Sequence, residues 1–255
     1  TSTLTTQGDV AIRGSSAIER LGFGTSGYFL KTQGTGANPV WAAAGGGLQS
    51  LQVLTSGTTW TKPAGITKIK VTATGAGGSG GMGTSNFNAG QGGGAGATGI
   101  KLIDVSSIST ITYSIGAGGT SVSSAGTNGV VGGNTVFGSG GTIYITANGG
   151  HYGYHADNNA THQQGATSTG GDMNIKGGIG GTHGGGTGTD ESMNGDGGSS
   201  YWGGGGTGNS PNQGNDQATG GQAYGSGGGG GYHHDGNTNA SGVGAAGVIY
   251  IEEYA

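Results

Sequence analysis

The sequence predicts an all-β chain built around a small antiparallel β-sandwich, with long glycine-rich insertions packed as polyglycine II helices. Three observations carry this. Glycine supplies 69 of 255 residues. Short stretches of alternating apolar and polar residues lie between turn residues in the first 147 positions and again at the C-terminus. Between Asn148 and Gly242 the only Leu, Ile, Val or Phe residues are Ile175 and Ile179. Such a chain cannot bury an ordinary apolar core along its whole length.

Residues 1–47 read as short extended pieces broken at Gly8, Gly14, Gly22, Gly24, Gly27, Gly34 and Gly36. Ser15–Leu21 has room for one helical turn. The segment has too few apolar groups to bury a core alone, so it is expected to pack with copies of itself.

Residues 48–147 hold the clearest strands. Leu51–Thr55 and Thr58–Thr61 are short candidates. In Ile66–Thr74, Ile69 and Val71 alternate with Lys68 and Lys70, the period of a half-buried strand. Lys62-Pro63-Ala64-Gly65 supplies the preceding turn. Gly99–Val105 and Ser109–Ile115 follow, with Ile100, Leu102, Ile111, Tyr113 and Ile115 expected in the core. Val130–Phe137, Thr142–Ala147 and the closing Gly247–Tyr254 complete the set. Short strands at this spacing suggest a sandwich formed by 48–147 together with 243–255. Residues 148–242 are then an insertion between two strands of that sandwich.

An ordered glycine-rich insertion must be held by its backbone, because glycine has no side chain to bury and loses the most entropy on folding. Polyproline II geometry suits this, with three residues per turn and backbone groups pointing outward. The runs 177–181, 184–186, 203–206 and 227–231 fit, as do the shorter runs in 75–83 and 90–99. Strict one-in-three glycine is absent, which excludes collagen.

Charge and composition exclude several functions. Formal net charge is −4, with only 8 Lys and Arg, too few for a phosphate-tracking surface, so no nucleic acid is expected. No apolar run approaches membrane-spanning length, so no membrane insertion is expected. With no cysteine there is no disulfide, thiolate metal site or cysteine nucleophile. The three functional patterns that remain are weak. Gly75-x-Gly77-x-x-Gly80 follows a strand but opens no helix to hold a pyrophosphate, so no cofactor is expected. His233-His234-Asp235 and His151-x-x-x-His155 have metal-ligand types without ligand spacing. Asp190-Glu191 lacks the cleft that paired-carboxylate hydrolysis needs. No metal site and no enzyme are expected.

The aromatic residues of the insertion are more informative. Three clusters stand out: His151, Tyr152, Tyr154 and His155; Tyr201 and Trp202, with Tyr224 further on; and Tyr232, His233, His234 and Asp235. Rigid amphipathic rings among Gly, Ser and Asn resemble antibody binding loops in chemistry, and flat rings beside amides suit sugar faces. These eleven residues are the candidate receptor-binding set. The competing reading is that the rings replace the missing aliphatic core, stacked on glycine backbone.

Two stretches carry a family resemblance. Gly8-Asp9-x-x-x-Arg13-Gly14, then Arg20-Leu21-x-x-Gly24-Thr25-x-Gly27-x-x-Leu30 and Pro39-x-Trp41, resembles a segment recurring in bacteriophage tail fibres. Thr58-Thr59-Trp60-Thr61-Lys62-Pro63-Ala64-Gly65-Ile66-Thr67-Lys68 and the closing Gly244-Ala245-Ala246-Gly247-Val248-Ile249-Tyr250-Ile251-Glu252 resemble glycine-rich domains at fibre tips. The insertion is similar in character to phage adhesins with stacked polyglycine II helices. The resemblance implies a homotrimer on the virion. Residues 1–47 would be its shaft or collar, joined to other tail-fibre subunits, and 148–242 its tip, touching a bacterial surface glycan or outer-membrane protein. It implies no receptor residues, because tip loops differ in sequence. The alternative is a structural or ice-binding glycine-rich surface or filament protein, and a third reading is a polysaccharide depolymerase tip.

Overall fold

The computed structural model describes residues 4–43, 45–84, 88–139, 141–155, 165–182, 195–209, 217–234 and 237–255. The described residues contain no helix, and the chain is all-β. It divides into two compact units, Thr1–Gln49 with Tyr254–Ala255, and Ser50–Glu253.

The smaller unit is two hairpins. β1 (Val10–Arg13) pairs antiparallel with β2 (Ile18–Leu21), and β3 (Tyr28–Lys31) with β4 (Val40–Ala43). The helical turn considered for Ser15–Leu21 is instead the second arm of a hairpin. Ile18 and Leu21 register against Arg13 and Val10, and a helix would forgo that pairing. Asp9 secures the unit by accepting the Thr5, Thr6 and Phe23 N–H groups and the Arg20 guanidinium at 2.8 Å. Ile18, Phe23, Tyr28, Phe29 and Leu30 remain exposed.

The larger unit begins with β5 (Leu48–Leu54), β6 (Thr59–Thr61), β7 (Lys68–Thr74), β8 (Asn88–Ala89), β9 (Thr98–Asp104) and β10 (Thr110–Ser114). It continues with β11 (Thr135–Ser139), β12 (Thr142–Ala147), β13 (Ser168–Thr169), β14 (Met173–Ile175), β15 (Tyr232–His234), β16 (Asn237–Asn239) and β17 (Val248–Tyr254). Two five-stranded sheets, ordered β13-β12-β11-β10-β6 and β14-β9-β7-β17-β5, form the sandwich. Trp60, Ile111, Phe137 and Ile145 of the first sheet meet Ile69, Val71, Ile103, Ile249 and Ile251 of the second in one apolar cluster. Each such side chain contributes about 2 kcal/mol on burial. β17 lies between β7 and β5, so the sandwich closes only when the last residues return to it.

Two expectations are corrected here. Leu102 is 55% exposed and Ile100 shares its outer face, because Ile103, paired with Ile69, takes the inner one. In the stretch 130–137 only the last three residues belong to a strand. Val130 and Gly133 instead accept the N–H groups of Ser79 and Ala76, inside the glycine-rich body.

That body is a hexagonal bundle whose centre is 75–83. Gly75, Gly78 and Gly81 donate to Ala97, Gly94 and Gln91. Ala76, Ser79 and Met82 donate to Gly133, Val130 and Thr127, and Gly77 and Gly80 to Ala245 and Gly242. Successive residues thus address three neighbours in rotation, the signature of a helix with three residues per turn. The carbonyls do the same. Ala76 and Ser79 accept from Gly150 and Gly153, Gly78 and Gly81 from Gly228 and Gly231, and Gly77 from Gly119. The ring around 75–83 is therefore 90–97, 148–155, 127–133, 116–122, 241–247 and 225–231. Each ring member also bonds to the next, as in Gly129 to Gly153 and Gly247 to Gly116. Up and down directions alternate around the ring. Outside it, 177–182, 195–199, 203–209 and 217–221 extend the lattice past 90–97 and 225–231, as in Ala95 to Gly178 and Gly206 to Gly227.

Space, not dihedral freedom, requires glycine here. No glycine in 75–83 or 90–96 has positive φ. A Cβ on Gly78 would sit 2.1 Å from the His151 carbonyl oxygen, and one on Gly93 2.2 Å from that of Gly78. Ala76, Ser79 and Met82 recur every third residue and are fully buried, so one edge of the central helix accepts side chains. Each main-chain bond contributes about 1 kcal/mol net, comparable with the entropy of fixing one residue. A lone helix of this kind would not hold. A lattice that uses every N–H of 75–82 and most of the carbonyls does.

Candidate functional site

The sequence-predicted residues fall in three separate places. Tyr201, Trp202 and Tyr224 gather where the bundle meets the sandwich. A tight turn at 200–203 sets them there: Ser200 N–H donates to the Gly203 carbonyl at 2.9 Å, and Trp202 N–H to Ser200 Oγ at 3.1 Å. Ser200 Oγ in turn donates to the Tyr224 carbonyl at 2.6 Å, tying this turn to the one at 222–225. Trp202 Nε1 donates to Thr74 Oγ1, at the end of β7, at 2.9 Å. Thr74 Oγ1 is also 2.8 Å from Thr98 Oγ1. Tyr201 meets the indole edge-on at 5.1 Å between centroids, and Tyr250 of β17 meets it at 6.0 Å. The indole is fixed on several sides, yet it stays 36% exposed, with Tyr201 at 51% and Tyr224 at 44%.

A concavity of about 490 Å³ opens beside these rings, lined by Trp202, Gln222, Ala223, Tyr224, Ala245 and Ala246, with Gly221. None of these residues is charged. Gln222 Nε2 donates to the Gly220 carbonyl at 2.7 Å, which leaves its amide oxygen as an acceptor. Sequence reasoning missed Gln222, the alanines and Tyr250. The signal for Tyr250 was present, since it alternates with the inward Ile249 and Ile251.

The second place is the bundle flank along 148–155. Gly150 and Gly153 face the central helix, which turns the intervening side chains outward. His151 is exposed, while Tyr152, Tyr154 and His155 are half-buried. The Tyr152 and Tyr154 rings meet edge-on at 5.3 Å. Burial first, then the neighbouring Tyr154 hydroxyl, holds the Tyr152 phenol above its ordinary value. Asn128 Oδ1 accepts both the His155 N–H at 2.9 Å and His155 Nδ1 at 2.7 Å. An amide oxygen only accepts, so the ring proton sits on Nδ1.

The third place is the bundle end remote from the sheets, where β15 pairs with β16 and β8. Tyr232 is 3% exposed, so its ring belongs to the interior of this end and presents no face. His233 is half-buried, and its Nδ1 is buried without a hydrogen-bond partner among the described residues. His234 contributes its backbone to β15. Its side chain and Asp235 lie outside the described residues, as do His162, His183 and the Asp190-Glu191 pair.

The described candidate residues offer aromatic rings, side-chain amides and imidazoles. Among the described residues no three His, Asp or Glu side chains group to hold a metal. The N–H groups of Gly75, Gly77 and Gly80 are all donated within the bundle, so that run offers no phosphate cradle. No curated protein matches the chain. The glycine-rich domain family matches residues 52–254, a span that includes both the sandwich and the bundle. That match spans a sandwich closed by its last strand and a backbone-bonded glycine lattice beside it, and the chain belongs to the glycine-rich domain family.

Proposed function

We propose that this chain is the receptor-binding tip of a bacteriophage tail fibre, carried on the virion as a homotrimer with other fibre subunits. It adheres to a bacterial surface glycan or outer-membrane protein without catalysis. The observation that carries the reading is the division of labour in the bundle. Main-chain hydrogen bonds hold the lattice, so side chains on its flank and rim are released for contact. Tyr152, Tyr154, Tyr201, Trp202 and Tyr224 use that freedom and stay partly exposed. The N-terminal hairpins support the trimer, since Phe23, Phe29 and Leu30 expose apolar surface that copies of the chain would cover. Trimerisation multiplies weak single-site binding through effective concentration.

The test is adsorption of the fluorescently labelled protein to a panel of bacterial strains, with light scattering alongside. Selective labelling of a few strains by a trimer is the expected result. A monomer that labels no strain would overturn the reading. Ice-crystal shaping without adsorption would favour the structural alternative.

A further inference from the structure

We propose that the concavity beside Trp202 is a saccharide subsite that takes one neutral pyranose unit. The inference rests on the adhesin reading and names the ligand class for one of its surfaces. It places a contact at the root of the bundle, against the sandwich.

Four features point to a neutral sugar. The volume, about 490 Å³, lies in the range that encloses a small ligand and has room for a sugar ring. The described lining has no charged side chain, which disfavours phosphate and acidic sugars. Trp202 supplies a flat apolar surface already held in place: its N–H is committed to Thr74, and its ring packs at steep angles against Tyr201 and Tyr250. The C–H face of a pyranose stacks on such a ring, and a ring fixed before binding loses little entropy on binding. Finally, the Gln222 side-chain amide is anchored through its nitrogen on Gly220, which leaves its oxygen to accept a sugar hydroxyl at the rim. An aliphatic ligand would use the rings but gain nothing from this acceptor.

The two anchoring turns also explain why the site is small. Ser200 Oγ bonded to the Tyr224 carbonyl keeps the two turns together. A Cβ on Gly203 would approach that of Ala223 to 3.1 Å, so glycine at 203 lets the two turns lie this close.

The experiment is an NMR titration of the whole chain with the methyl glycosides of glucose, galactose, mannose and N-acetylglucosamine. Saturation transfer to the sugar is read together with the indole N–H signal of Trp202. At least one glycoside should receive saturation with millimolar affinity and shift that signal. Tyr224→Ala and Gln222→Ala should each weaken the binding by about tenfold. Both leave the scaffold intact, because the turn uses the Tyr224 carbonyl and the Gln222 side chain is exposed. No saturation with any of the four, or binding unchanged in both variants, would overturn the subsite. Cell adsorption separates this outcome from the parent reading. Selective adsorption by wild type, with no glycoside bound, removes the subsite and keeps the adhesin. Glycoside binding lost in the variants, with no cell adsorption, keeps the subsite and removes the adhesin.

Discussion

The indole N–H of Trp60 donates at 2.8 Å to Oε1 of Glu253, a buried carboxylate 193 residues further along the chain. The same carboxylate accepts from Gln52 Nε2 at 2.7 Å and from the Ser50 hydroxyl. One acidic group on the last strand thus gathers donors from β5 and β6, the strands at one edge of each sheet. It is a polar clasp inside an otherwise apolar sandwich, and its donors would be left unsatisfied without it.

Replacing Glu253 with Ala is therefore expected to cost about 3 kcal/mol, since the buried Trp60 N–H and the half-buried Ser50 and Gln52 donors lose their acceptor together. Glu253→Gln keeps one amide oxygen for Trp60 and should cost about half as much. Urea unfolding followed by Trp fluorescence measures both. A loss within a few tenths of wild type for Glu253→Ala would mean that water replaces the carboxylate.

Glycines in the lattice should divide sharply by available space. Gly78→Ala drives a Cβ into the His151 carbonyl and should lower the melting temperature markedly or prevent folding. At Gly204 an added Cβ meets nothing within 4 Å, and φ is not positive. Gly204→Ala should be neutral, or stabilising by up to about 1 kcal/mol, through lower unfolded-state entropy. Calorimetry on the pair decides it. Equal melting temperatures would contradict the close-packed lattice.

Backbone amides of 75–82 and 90–97 each donate to a named carbonyl in the bundle. They should exchange with solvent as slowly as those of β7 and β9, although glycine-rich chains are usually flexible. Hydrogen-exchange mass spectrometry over peptides from these segments reads this directly. Exchange within seconds would show a linker in place of a lattice.

Two surface carboxylates contribute to the acid sensitivity of the larger unit. The Leu102 N–H, and after it Lys101, hold Asp172 below its ordinary value of 3.8. The Ser106 N–H does the same for Asp104. A carboxyl whose pKa is lowered on folding stabilises the fold fully above its unfolded value and loses that contribution as pH falls through the folded one. Melting temperature should thus be unaffected by these two groups above about pH 5 and should fall below about pH 4. Asp172→Asn should flatten part of that acid slope. A slope unchanged in the variant would assign the effect elsewhere.

Thr74→Val removes the acceptor that holds the Trp202 indole. The expected cost is about 1 kcal/mol, with a shifted indole N–H resonance. An unmoved resonance would show that packing on Tyr201 and Tyr250 alone fixes the ring.

Part of this molecule was legible before any coordinates. Ile69 and Val71 alternate with Lys68 and Lys70, and they do point inward on β7, because a period of two has only one way to face a core. The closing strand, carrying Ile249 and Ile251, was identifiable on the same ground. The body of 75–83 was legible only as glycine-rich. Its three-residue period shows in Ala76, Ser79 and Met82, but nothing there says which segments surround it.

The sequence by itself determined the main strands of the sandwich, the need for a backbone-held insertion and the residue types available for contact. The tertiary structure alone decided that 75–83 is the centre of the lattice. It also decided that Tyr232 is interior, and that Tyr201, Trp202 and Tyr224 meet beside Gln222 at the root of the bundle. The physical reason is that side chains write a strand's partner into its pattern, whereas a glycine helix offers every neighbour the same N–H and C=O. Its partners follow from register and close packing, which exist only once the chain is folded.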